Sequence, residues 1–238
     1  DNRAFNRLYD FVGHRAKNEL AWAMGFDSVR VRHRMYDVDD EAVRRTTAKL
    51  ELRPKDSAAV IVPQRTSDLE LPAPLVGAGL QIGEARRVKG KRIDGAMDFT
   101  AKNAVTLRDL HRLALALARP DLPGVAQLGI SAAHREVLVA DMTELAPEAR
   151  YKPMREGVAR VVPAQHLRYV SKAGRAFGFH VDNAYIEDGR SGRAMAVTAV
   201  LYVNADGVLD DDRYEYDTVS FPFFVRLGEA LAKAVLTP

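Results

Sequence analysis

The last third of the chain restricts the possible folds most. Leu167 to Val170, Phe177 to Ile186 and Ala194 to Val203 are rich in β-branched and aromatic residues, and they are separated only by breaks at Ala173-Gly174 and Gly189-Arg190-Ser191-Gly192. Gaps of that length suit hairpins rather than crossovers, so the three runs are expected to form an antiparallel meander. After the acidic turn Asp210-Asp211-Asp212, residues Phe223, Phe224, Leu227, Ala230, Leu231 and Val235 recur at helical spacing. The spacing predicts an amphipathic helix over Val219 to Leu236, closing the chain against the sheet.

The earlier residues read differently. Phe5, Leu8, Tyr9 and Val12 share one helical face up to Gly13, and Leu20 to Met24 closes in the same way on Gly25, so two short helices open the chain. From Val29 to Gly95 the pattern weakens. Val31, Lys49 to Leu52, Ala58 to Val62 and Leu69 to Leu71 read as short strands among prolines and glycines, which predicts a loop-rich insert. Thr106 is a candidate N-cap for a helix through Leu117 that Pro120 stops, and Ser131 opens another through Met142 that Pro147 ends. The expected domains are residues 1–150, a helical portion with the insert at about 29–95, and residues 151–238, the strands and final helix of a sheet domain.

Composition removes several classes of function. A net charge of +3, with 35 basic and 32 acidic residues scattered along the chain, gives no basic stripe for nucleic acid. With no cysteine there are no disulfides, thiolate nucleophiles or cysteine-based zinc sites. The six histidines form no metal-ligand spacing, so no metal and no cofactor are expected. No run approaches the roughly 20 apolar residues of a membrane span.

The chemistry concentrates at Ser171-Lys172-Ala173-Gly174, where a strand ends and another follows. An edge strand can pair with an extended acyl substrate through its backbone, a lysine ammonium attracts a carboxylate, and a glycine leaves room for close approach. The element resembles the Lys-Thr-Gly strand of penicillin-binding proteins and class A β-lactamases. Asp1-Asn2, followed by the helix from Ala4, is similar to the Ser-Asp-Asn element of those serine hydrolases, and Phe99 to Leu110 to the segment that leads back into their helical domain. Gly178 to Ile186 and Tyr202 to Tyr216 are similar to their closing strands.

The resemblance implies an α/β fold of the transpeptidase type, with an antiparallel sheet flanked by helices plus a helical domain, incomplete at its N-terminus. It implies a serine hydrolase that attacks an amide, lactam or cell-wall-type acyl substrate through an acyl-enzyme. Asn2 would face the substrate amide, Lys172 would bind the substrate carboxylate and tune proton transfer, and Lys172, Ala173 and Gly174 would line the substrate. Ala173 stands where the family commonly carries a hydroxyl. The missing N-terminal half of the same protein is the expected partner, with a small-molecule or peptidoglycan-type substrate, and the resemblance implies an exported or periplasmic location.

The family's Ser-x-x-Lys is absent: no serine in the chain has a lysine three positions later. The nucleophile is therefore expected upstream of residue 1, and the 238 residues alone are expected to be inactive. The acidic group Asp37, Asp39, Asp40 and Glu41 offers no matching pattern for a deacylation base. The alternatives are a non-catalytic domain that keeps this fold for binding, and an unrelated α+β module in which Lys-Ala-Gly is accidental. Several features have plainer readings. Ser131 beside His134 reads as a helix cap, Asp210 to Asp212 as a solvated turn capping the final helix, Gly77, Gly79 and Gly83 as loop glycines, and Phe223, Phe224, Tyr214 and Tyr216 as core.

Overall fold

The computed structural model describes residues 2–35, 40–55, 57–73, 80–143 and 152–237. The chain is mixed α/β and divides into two compact units, Asp1–Leu80 with Asp98–Asp109, and Gln81–Met97 with Leu110–Pro238.

The first unit opens with α1 (Asn2–Val12) and α2 (His14–Ala23), as the two apolar stripes predict. The chain turns between them at Gly13, whose φ of 95° lies where only glycine is comfortable. A short helix α3 (Glu41–Arg45) and strands β1 (Thr46–Thr47), β2 (Leu50–Leu52), β3 (Val60–Val62) and β4 (Arg65–Thr66) follow, pairing antiparallel as β1 with β4 and β2 with β3. Leu69 to Leu71 forms no strand, and α3 has no apolar period that could have revealed it.

Buried polar side chains tie the segments of this unit together. The buried amide of Asn18 donates to the carbonyls of His14 (2.9 Å) and Val31 (3.1 Å), and its oxygen accepts from Val31 N (2.8 Å). Asn103 repeats the device on Arg32 and His33. The Tyr9 hydroxyl lies 2.7 Å from the Arg44 carbonyl oxygen, and the Asp10 carboxylate receives the Arg34 guanidinium and Ala48 N. Each clamp satisfies backbone groups that a loop-rich segment would otherwise bury unpaired.

The second unit starts with β5 (Gln81–Ile82) and the hairpin β6 (Ala85–Val88) and β7 (Lys91–Asp94), with β8 (Met97–Asp98) at the unit boundary. The insert expected over 29–95 is therefore split. Its last turn belongs to the sheet unit, because β6 pairs in parallel with β12 (Val208–Leu209) and Glu84 N donates to Gly207 O.

Helix α4 (Leu107–Ala118) begins where Thr106 Oγ1 accepts from Asp109 N, and α5 (Ala132–Thr143) where Ser131 Oγ accepts from His134 N. Both caps agree with the sequence reading. Pro147, expected to stop α5, lies outside the described residues. Helix α6 (Pro153–Ala159) has no counterpart in the sequence reading, since its short run carries one interior glycine and too few residues to show a period.

The meander forms as expected: β9 (Leu167–Ala176), β10 (Phe179–Asp188) and β11 (Ala194–Tyr202) are antiparallel in the order β11-β10-β9. The turn differs from expectation. Strand β9 runs straight through Ala173-Gly174 to Ala176, and the reversal falls at Phe177-Gly178, with φ of 53° and 81°. Two consecutive positive φ values give the tight turn whose twist matches paired strands.

Helix α7 (Phe221–Leu231) carries the chain across one face of the sheet, extended by single π-type turns at Tyr216–Ser220 and Ala232–Leu236. Met154, Val158, Phe224, Ala232 and Leu236 from the helices close on Tyr169, Ala184 and Ile186 from the sheet. The opposite face meets α4 and α5 through Val170, Tyr185, Leu115, Ala118 and Val139. The acidic turn does not cap this helix. Asp210 and Asp212 take positive φ values and Asp210 N donates to the Tyr214 hydroxyl. Phe224 is buried, while Phe223 is 42% exposed rather than core.

Candidate functional site

Alternation along β9 sorts the Ser171-Lys172-Ala173-Gly174 element by face. Tyr169, Ser171 and Ala173 turn toward α6 and α7, whereas Val170, Lys172 and Gly174 turn toward the side that α4 and α5 cover further along the sheet. Ser171 is thus 1% exposed on the opposite face from its neighbour Lys172, and is placed as a core hydroxyl rather than as a nucleophile.

Lys172 is exposed, and its Nζ donates to the Ala173 carbonyl oxygen at 2.9 Å. At Gly174 an added Cβ would meet no atom within 4 Å, and φ there is not positive. Neither backbone conformation nor crowding inside the protein calls for glycine, so the position leaves open space on the strand. Among the described residues β9 pairs only with β10, so its outer edge makes no further strand pairing there.

Beneath the element lies a buried polar group. Tyr169 donates to Asp182 Oδ2 at 2.9 Å, while Asp182 Oδ1 and Ser171 Oγ have no partner among the described residues. Burial pushes the Asp182 carboxyl up to about 6, against the opposing pull of the Tyr169 hydrogen bond and the Lys152 ammonium. Burial likewise raises the Tyr169 phenol well above its ordinary value and lowers the Lys152 amine.

Of the site residues expected from sequence, Lys172, Ala173 and Gly174 are contiguous on one strand of the second unit. Asn2 is exposed in the first turn of α1 in the first unit, and its neighbour Asp1 lies outside the described residues. Helix α1 is anchored through Tyr9 and Asp10, both about one turn beyond Asn6, whose Oδ1 accepts from Met35 N at 2.7 Å. Within the acidic group, Asp40 caps α3 by accepting from Ala42 N at 2.8 Å, and Glu41 lies 3.5 Å from Arg45. Asp37 and Asp39 are outside the described residues, as are Gly77 and Gly79.

Sequence reading missed Asn183 and Thr198, which share the register line of Lys172 across the sheet. Placing the turn at Phe177-Gly178 instead of Ala173-Gly174 would have paired Lys172 with Asn183 directly. Compared with known proteins, the chain matches no protein-family model and no curated protein sequence.

Proposed function

We propose that this chain is the C-terminal part of a serine acyl hydrolase acting on an amide, lactam or cell-wall-type acyl substrate, with the nucleophilic serine supplied upstream of residue 1. In this reading the substrate lies along the outer edge of β9, its carboxylate against Lys172 and its backbone against Ala173 and Gly174.

The observation that carries the reading is the joint state of Lys172 and Gly174: an exposed ammonium and an open glycine, two residues apart on the same face of an edge strand. The antiparallel partner β10 and the final helix packed across the sheet support it, since they give β9 a rigid base. An acyl substrate could bind there by strand addition, with the ammonium fixing its charged end. Ala173 offers no hydroxyl to a substrate carboxylate, which favours acyl substrates held by charge and backbone alone.

The test is covalent capture. The gene product extended through its upstream residues is incubated with a fluorescent penicillin and, separately, with a fluorophosphonate probe. Labelling by either that K172A reduces at least tenfold is expected. A folded protein labelled by neither probe would instead be a binding domain of this fold.

A further inference from the structure

A polar row crosses the face of the sheet that carries Lys172. Lys172 lies opposite Asn183, and Asn183 opposite Thr198, and directly opposed residues in antiparallel strands share a face. On α4, His111 Nδ1 lies 3.1 Å from Thr198 Oγ1. Thr198 Oγ1 lies 2.7 Å from Asn183 Oδ1, and Asn183 Nδ2 lies 2.9 Å from the Leu110 carbonyl oxygen. The row therefore closes back on α4, one residue from where it left.

Counting protons fixes every donor in the row. The Leu110 carbonyl can only accept, so the Asn183 atom facing it is the amide nitrogen and its oxygen is turned toward β11. That oxygen can only accept, so Thr198 commits its single proton there. Thr198 must then accept from His111, and the neutral ring carries its hydrogen on Nδ1 with the lone pair on Nε2.

The orientation of Asn183 matters to its neighbour. A side-chain oxygen at that position is the natural acceptor for an ammonium across the strand pair, yet Lys172 instead donates to Ala173 O and remains exposed. We propose that His111 is a positioning residue: as the Nδ1–H tautomer it holds the Asn183 oxygen toward β11 through Thr198, and so leaves the Lys172 ammonium to a substrate carboxylate. This rests on the reading of Lys172 as the carboxylate-binding group. Without the lock, the Leu110 carbonyl alone holds the Asn183 amide, and an Asn183 that rotates away from it can offer its oxygen to Lys172 and compete with the substrate.

The test uses the 238-residue chain labelled with ¹⁵N. Long-range proton–nitrogen correlations of the neutral imidazoles, with His111 assigned by its loss in H111N, are expected to show His111 protonated at Nδ1. T198V should abolish that preference and T198S should keep it. The same proteins are titrated with N-acetylglycine while the Lys172 ε-methylene signal is followed. T198V should bind about fivefold more weakly, roughly 1 kcal/mol, the size of one hydrogen-bond competitor. T198S should stay within about twofold, as should H111N, whose amide can replace the Nδ1–H donor. Should T198V fail to fold, H111A carries the same expectation from a half-exposed position. An Nε2–H ring in the unsubstituted chain, or unchanged affinity in T198V, overturns the proposal alone. No Lys172 response to N-acetylglycine in the unsubstituted chain overturns both the proposal and the carboxylate-binding reading.

Discussion

The Tyr169 hydroxyl stands 2.9 Å from Asp182 Oδ2, and both side chains are buried directly under the strand that exposes Lys172. The second carboxyl oxygen of Asp182 has no partner among the described residues, so the group is better accommodated with a proton than without one.

That burial gives stability a defined pH dependence. The Asp182 carboxyl, ordinarily at 3.8, is raised to about 6 in the folded chain. A folded-state value above the unfolded one means that the unfolded chain loses this proton first. The contribution is fully present below about pH 4 and is lost as pH rises through 6, on the order of 3 kcal/mol in all. D182N keeps an acceptor for Tyr169 and carries no charge, so urea unfolding at pH 4 and pH 7 should show this loss shrink or vanish. An unchanged pH dependence in D182N would place its origin elsewhere.

Close packing of α6 on α7 depends on two glycines. A Cβ at Gly157 would lie 1.8 Å from the Val225 carbonyl oxygen, and one at Gly228 would lie 2.2 Å from that of Met154. Backbone cannot yield as a side-chain tip can, so G157A and G228A should each cost about 3 kcal/mol or more, despite the better helix propensity of alanine. Thermal unfolding followed by circular dichroism would show this as a large drop in midpoint.

In the first unit the Asp10 carboxylate is the buried partner of the Arg34 guanidinium and also accepts from Ala48 N at 3.0 Å. D10A strands a buried positive charge and an amide, which should cost about 3–5 kcal/mol. Trp22, the only tryptophan, lies in α2 of the same unit, so its fluorescence during urea unfolding reports this loss.

Lys17 gives a pH dependence of opposite sign. Burial, reinforced by Arg34, lowers its amine to about 6. A depressed lysine costs the fold most below about pH 6, where the folded chain must hold it charged, and its penalty fades as pH rises from 6 toward 10. K17M should therefore be more stable than the unsubstituted chain at pH 6 and approach it by pH 10.

Regular periods were legible in the sequence, and single-residue geometry was not. The apolar stripes of α1, α4 and α7 and the β-rich runs of the meander announce themselves because burial of one face imposes a repeat, whereas α5 is marked by its Ser131 cap. Helices α3 and α6 are too short to show one, and α6 is defined by close approach at Gly157 rather than by its own pattern. The reversal at Phe177-Gly178 was hidden because Phe177 takes a positive φ usually left to glycine or asparagine, while Ala173-Gly174 looked more turn-like. That shift concealed the Lys172–Asn183–Thr198 line, although Lys172 itself was visible through the Lys-Ala-Gly element. The polar clamps Asn18 and Asn103 bond to loop backbone distant in sequence, which no local pattern encodes.

We propose β9 as the substrate strand of a serine acyl hydrolase whose nucleophile precedes residue 1. Its most direct test is peptide mapping by mass spectrometry of the extended gene product after reaction with a fluorophosphonate. One adduct is expected, on the serine of a Ser-x-x-Lys upstream of Asp1, with most of it lost in K172A. An adduct on a serine within residues 1–238, or none on a protein shown to be folded, would contradict it.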